Sequence, residues 1–347
     1  LWNLIQHNEG ADLELLTEML ARRYNLGEED FPMLREDILD FLQQMQSMGM
    51  LIRPLRLQSE TPSLCIMIAG LHIHFHGPSK LFSRYFKDFC EAEATQNADQ
   101  EIEFFTTPPT SKSYGKVLLR NSDMTIFENS DCYVVLFPQM SNIYQVSMSL
   151  DGSYVRFYCT PEVSDTTQEN IFHAIRLFFL FIAQTHGKFA IHSASIFYKE
   201  KAWLFSGHSG MGKSTHTGLW HDLLQTPYLN GDLNLLGMEG DKIIVYGIPW
   251  CGTSELYTTA DYELGGIVLL DRDPEKDFLQ DLTPSEKIVR VMQRMISPSW
   301  KERFFSMNLE FAEEIADRVP VLHLFCTRNP SAVYTVQKEI DRLEEAR

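Results

Sequence analysis

Ala202-Trp203-Leu204-Phe205, followed by Gly207-His208-Ser209-Gly210-Met211-Gly212-Lys213-Ser214, is the stretch that decides the fold class. The first four residues read as an apolar strand. The next eight fit the spacing G-x-x-x-x-G-K-[ST], and the residues from Lys213 to Leu224, with Leu219 and Trp220, read as a helix. A glycine-rich turn between a strand and a helix start suits an anion. The glycines allow backbone N–H groups to turn inward, and the helix N-terminus adds positive potential. Lys213 can reach the β and γ phosphates of a nucleotide, and the Ser214 hydroxyl can hold Mg²⁺. The candidate nucleotide-binding residues are Gly207, His208, Ser209, Gly210, Met211, Gly212, Lys213, Ser214 and Thr215.

Working outward, residues 165–347 alternate in type and predict an α/β domain around a mixed sheet. A helix over 169–185 leads to a strand over 189–197 that carries His192-Ser193-Ala194-Ser195. Strands are expected at 202–205, 233–236, 242–247, 266–270 and 321–325. Further helices are expected over 285–295, 309–318 and 331–343. Asp271 ends the apolar run Gly266-Ile-Val-Leu-Leu270 and is one candidate metal carboxylate. Gly247-Ile-Pro-Trp-Cys-Gly-Thr-Ser-Glu255 is a polar loop that could line an acceptor. Lys287, Arg290 and Arg294 fall at i, i+3 and i+7, a basic stripe read as a solvated helix face.

Residues 58–164 predict an antiparallel β-rich layer, with a helix over 81–89, strands turning around Gly70 and a hairpin at Asp151-Gly152. His72, His74 and His76 alternate on one strand; without a carboxylate or cysteine partner in the pattern they read as structural. Residues 1–57 predict a small three-helix module built on Leu1, Leu4 and Ile5, then Leu13, Leu16, Met19 and Leu20, then Leu34, Ile38, Leu42 and Met45, leaving as a strand over 50–57. The numbering opens at Leu1, inside what reads as a helix, and the module is expected to be truncated there.

Composition narrows the class. The 347 residues are 44% hydrophobic and 12% aromatic, enough to fill cores, and the formal net charge is −17. That acidity is spread along the chain, which argues against nucleic-acid and anionic-membrane partners. The six cysteines form no C-x-x-C pair and read as reduced thiols. No secretory leader is visible, and the stretch 171–183 is too short and too interrupted to span a bilayer. A cytoplasmic protein is the expectation.

His192-Ser-Ala-Ser followed by Gly-x-Ser-Gly-x-Gly-Lys-Ser resembles the catalytic domain of HPr kinase/phosphorylase, whose P-loop fold is shared with ATP-dependent phosphoenolpyruvate carboxykinase. The longer string Gly-His-Ser-Gly-Met-Gly-Lys-Ser-Thr-His-Thr-Gly-Leu-Trp is similar to HPr-kinase-related proteins outside the HPr enzymes themselves. The resemblance covers roughly residues 165–345. It implies ATP and Mg²⁺ as cofactors, Lys213 and His192 beside the transferred phosphate, and a carboxylate after the loop helix. Where the family has an aspartate pair, this chain reads Leu229-Asn-Gly-Asp232-Leu, with one aspartate. Asp232 is the candidate base and, with Ser214, the candidate metal ligand. Glu255 is a loose counterpart of a family glutamate.

Leu-Trp-Asn-Leu-Ile at the start, the second amphipathic helix, and Phe41-Leu-Gln-Gln-Met-Gln-Ser-Met-Gly-Met-Leu-Ile52 resemble the helical part of PqqD-like domains. These bind leader peptides of ribosomally made, modified peptides (RiPP biosynthesis) by strand pairing. A plain winged-helix-like module is the alternative. Together the resemblances imply a kinase acting on a Ser or Thr hydroxyl of a precursor peptide. The alternatives are a kinase of a small molecule or an HPr-like carrier protein, and a non-catalytic, ATP-gated peptide-binding module. Self-association into a homo-oligomer is left open.

Overall fold

The computed structural model describes residues 13–47, 61–91, 97–109, 114–208 and 210–345. The first predicted helix, the exit strand over 50–57 and Ser209 lie outside them. The chain separates into two compact units. One holds α1 (Leu13–Tyr24) and α2 (Phe31–Ser47). Leu16, Leu20 and Ile38 form its buried apolar cluster, with Leu34 and Leu42 packed against it, as the helical spacing requires.

The other unit carries two sheets. The first has eight strands in the order β1-β2-β3-β8-β7-β6-β5-β4. These are β1 (Leu64–Ile68), β2 (Leu71–His76), β3 (Gln100–Phe105), β4 (Lys116–Arg120), β5 (Thr125–Glu128), β6 (Cys132–Leu136), β7 (Ile143–Ser149) and β8 (Tyr154–Cys159). The layer is mixed, not purely antiparallel, because β3 runs parallel to both β2 and β8. The predicted helix over 81–89 is also corrected. Residues 79–89 make three separate 3₁₀ turns. Phe82 stacks on Phe75 of the sheet and Phe86 packs tilted against it, at 4.9 and 5.3 Å between ring centroids. Seating those rings outweighs continuous i→i−4 bonding.

α3 (Asp165–Thr185) starts at Ser164, whose side chain caps the Thr167 N–H. Its apolar residues from Ile171 to Ala183 share one core with the first sheet and with Ile248 and Trp250 of the second half. The run that reads as apolar in sequence is therefore a core helix. Among the described residues no helix is long and apolar enough to cross a membrane.

The second sheet contains β9 (Lys188–His192), β10 (Ala194–Tyr198), β11 (Lys201–Ser206), β12 (Tyr228–Asn230), β13 (Leu233–Glu239), β14 (Lys242–Tyr246), β15 (Tyr262–Arg272), β16 (Phe278–Gln280) and β17 (Val321–Cys326). It forks at β15, which pairs parallel with β11 on one side. On the other side its first residues pair antiparallel with β14 and its last six parallel with β17. Ser206 stands opposite Leu269, so the loop after β11 and the pair Asp271-Arg272 emerge at the same edge. Carboxyl ends of parallel strands are where α/β sheets bind ligands. The single strand predicted over 189–197 is broken at Ser193. β9 pairs with β13, whereas β10 pairs with β11 and β12. The remaining helices are α4 (Lys213–Leu224), α5 (Pro284–Met292), α6 (Glu302–Arg318) and α7 (Ser331–Glu345).

Candidate active site

The loop between β11 and α4 has the conformation its glycines permit. Gly210 has φ +74° and Gly212 has φ +101°, both in the left-handed region that favours glycine. Gly212 is the N-cap of α4 and offers no side chain to it, so the first amides of the helix, at Lys213, Ser214 and Thr215, have no side-chain cap. Ser214 and Thr215 are exposed there. Met211 N–H donates to the His208 carbonyl at 3.0 Å, and Arg272 donates to the Gly210 carbonyl, which ties the loop to the end of β15.

Lys213, His192 and Asp232 meet beside this loop. Lys213 Nζ lies 2.9 Å from His192 Nε2 and 3.3 Å from the Gly207 carbonyl. His192 Nδ1 lies 3.1 Å from the Asp232 backbone oxygen and 3.3 Å from its Oδ1. The partners set the tautomer: Nδ1–H donates to Asp232, and the Nε2 lone pair receives a Lys213 N–H. Burial, then the Lys213 charge, hold the His192 pKa below its ordinary value against the pull of Asp232. The ring is therefore neutral, although it stands within ion-pair distance of a carboxylate. Burial also lowers the Lys213 pKa, with Asp232 opposing it. The sequence-predicted trio is thus brought together.

A buried polar network sets the position of Asp232. Asn234 Nδ2 donates to the Ser193 carbonyl at 2.7 Å and to Ser193 Oγ at 2.9 Å. Ser195 Oγ donates to Asn234 Oδ1 at 2.7 Å and accepts the Asn230 N–H at 3.0 Å. Asn230 Oδ1 in turn accepts the N–H groups of Asp232 and Leu233. The serines of His192-Ser-Ala-Ser thus hold the Asn230–Leu233 turn. The alternation of small polar residues on an apolar strand was the available signal for them, and Asn230 and Asn234 had none.

A second aspartate at position 231 has no room here. A Cβ on Gly231 would lie 1.9 Å from Ser254 Oγ and 2.5 Å from Ser254 Cβ. The loop Gly247–Glu255, read from sequence as an acceptor-side loop, packs against that turn. Ser254 Oγ donates to the Cys251 carbonyl at 2.6 Å. Trp250 is buried and donates its indole N–H to the Phe172 carbonyl of α3 at 3.0 Å.

Asp271 stands at the loop edge of β15, with its Oδ2 3.2 Å from His323 Nε2. It is separate from the His192–Asp232 pair. The basic stripe is corrected. α5 ends at Met292, so Arg294 lies beyond the helix that holds Lys287 and Arg290. Its carbonyl accepts the His192 N–H at 2.9 Å, and its Nη1 lies 3.2 Å from His208 Nδ1 of the loop. Arg294 is thus a site residue, which helix periodicity had placed on a solvated face.

The donor set suits Mg²⁺ held with phosphates. Among the described residues no cluster of three or more His, Cys, Asp or Glu side chains could cage a metal alone. A serine hydroxyl at the loop and one or two carboxylates are what Mg²⁺ takes when phosphate oxygens and water complete its shell. His72, His74 and His76 have carboxylate partners: Glu91 for His72, and Glu101 for both His74 and His76. All six cysteines are free thiols.

No family model and no curated protein matches this chain. Among solved structures it is similar to one described as the Hpr(Ser) kinase/phosphatase from Coxiella burnetii. The identity is 15% and the TM-score 0.27, and the match covers 45% of this chain and 98% of that one.

Proposed function

We propose that the chain is an ATP- and Mg²⁺-dependent kinase that phosphorylates a hydroxyl. The observation that carries this reading is the contact of Lys213 with His192, and of His192 with Asp232, at an uncapped helix start behind a glycine loop. Lys213 and the loop amides would hold the phosphate oxygens and the charge of the transferring group. Ser214 would hold Mg²⁺, with Asp232 or Asp271 as its carboxylate. Mg²⁺, when bound, would supply charge neutralisation for the phosphates. Asp232 accepts the acceptor hydroxyl's proton as its oxygen bonds to phosphorus and ADP leaves. Neutral His192, held by Asp232, supports that carboxylate without competing for its charge.

The finer reading is a Ser or Thr on a ribosomally made precursor peptide, presented by the helical module of α1 and α2. It rests on the sequence resemblances alone. Incubating the full chain with γ-³²P-ATP and a precursor peptide encoded beside its gene tests it. Label should move to the peptide and be lost about a hundredfold or more in Lys213→Ala. Transfer that is absent, or indifferent to Lys213→Ala, overturns the reading. One observation favours a second reading, a nucleotide-gated binding module: Gly231 has no space for a second carboxylate. Tight ATP binding with no turnover on any acceptor would select it.

A further inference from the structure

Asp232 meets His192, at 3.3 Å from its Oδ1, and through it Lys213, and is packed by the 247–255 loop, where a Cβ on Gly252 would lie 2.8 Å from Asp232 Cβ. Lys213 and Arg294 lie beside the glycine loop. Arg294 meets His208, and Burial lowers its pKa against the pull of Asp271. Arg176 approaches from α3, with His173 beside it. It sits one helical turn beyond Phe172, whose carbonyl receives Trp250 and whose ring stacks on that indole at 5.6 Å. It precedes Phe179, which packs on the same indole at 5.0 Å. The helix face that bears Arg176 is therefore fixed against the loop covering the Asn230–Leu233 turn.

Arg176 is half-buried, yet it makes no side-chain hydrogen bond or ion pair among the described residues. Burial lowers its pKa, opposed by the field of Asp232. Its charge is also felt at His192 and His173. None of its nitrogens is both sealed and unpartnered, in contrast to Arg294 Nε, so the fork remains open to a ligand. A guanidinium offers five donors in a plane that matches a carboxylate, and here they face solvent with no protein partner among the described residues.

We infer that Arg176 binds a carboxylate carried by the phosphoryl acceptor next to its hydroxyl. This rests on the kinase reading. With the nucleotide phosphates on Lys213, an acceptor hydroxyl at Asp232 places its neighbouring groups toward α3. Arg176 is then a specificity-determining residue, and it favours acidic acceptors in an acidic protein that would otherwise repel them. Two sources fit this chemistry: an acidic side chain beside Ser in a peptide, and the free carboxylate of a small hydroxy or amino acid.

The experiment uses the full chain loaded with Mg²⁺ and the non-hydrolysable analogue AMP-PNP. Calorimetry compares acetyl-Ser-Asp-amide with acetyl-Ser-Asn-amide, and L-serine with L-serinamide. In at least one pair the acid should bind about ten- to a hundredfold tighter than its amide, the range for a hydrogen bond to a charged group. The pair that discriminates names the source. Arg176→Ala should erase the preference, Arg176→Lys should keep part of it, and AMP-PNP affinity should be unchanged in both. In transfer assays with ATP the loss should fall on the KM for the acidic probe, with kcat less affected. Equal binding within both pairs, or a preference that survives Arg176→Ala, overturns the inference. Failure of the wild-type chain to bind AMP-PNP strikes the kinase reading instead.

Discussion

Substituting Gly231 by Ala tests, with a single methyl group, whether position 231 has room for a side chain. The new Cβ would lie 1.9 Å from Ser254 Oγ and 2.5 Å from Ser254 Cβ, far inside contact distance. Ser254 cannot simply swing away, because its hydroxyl donates to the Cys251 carbonyl and accepts the Leu256 N–H. The next atom, the Cys251 carbonyl oxygen, is at an ordinary 3.4 Å. Gly231 has no positive φ, so Ala can adopt its backbone and the cost is steric alone. Overpacking of this kind costs about 1–3 kcal/mol. In a Ser254→Gly background the clash is gone. Gly231→Ala should then be neutral, or stabilising by up to about 1 kcal/mol through the unfolded chain. Urea unfolding of the four proteins of this cycle measures the coupling, expected at about 1–3 kcal/mol. An equal cost of Gly231→Ala in both backgrounds would show that Ser254 does not exclude a side chain at position 231.

Gly212→Ala places a side chain at φ +101° and should cost about 1–2 kcal/mol in thermal unfolding, with weaker nucleotide binding as the loop shifts. Asn234→Ala removes bonds to Ser193 and Ser195, and denaturant titration should show a loss of about 1–3 kcal/mol. His216 is buried with its Nε2 accepting the Trp220 indole N–H, and burial takes its pKa from the ordinary 6.5 to about 4. Between those values the unfolded chain binds a proton that the folded chain does not. Stability should therefore fall as pH drops from about 6.5 to about 4, by up to about 3 kcal/mol. The stability-versus-pH curve of His216→Met should be flatter in that window.

The loop and its helix were legible because their constraint is local. Glycines at fixed offsets, a strand before them and a lysine at the helix start allow few other structures. Lys213 could be named from the loop spacing itself, whereas His192 and Asp232 could be named only through the resemblance, since one histidine in an apolar strand reads as a core residue. What brings them together is not local. The break at Ser193, the fork of the sheet at β15 and the network through Asn230 and Asn234 depend on pairings across tens of residues. Arg294 was read as part of a helical stripe because the basic spacing continues past Met292 while the helix does not. The segment 79–89 has helical apolar spacing, but its phenylalanines are seated on β2, and tertiary packing decided its form. Arg176 carried no signal, since one arginine in an apolar helix looks like an interruption until its surroundings are known.

If residues 207–215 form a nucleotide site, its charge is supplied by Lys213. A calorimetric titration of the full chain with ATP, in the presence and absence of Mg²⁺, tests it most directly. Binding should be saturable, stronger with Mg²⁺, and at least about tenfold weaker in Lys213→Ala, the loss expected for one charge-assisted contact. Absence of binding, or equal affinity in Lys213→Ala, would contradict it.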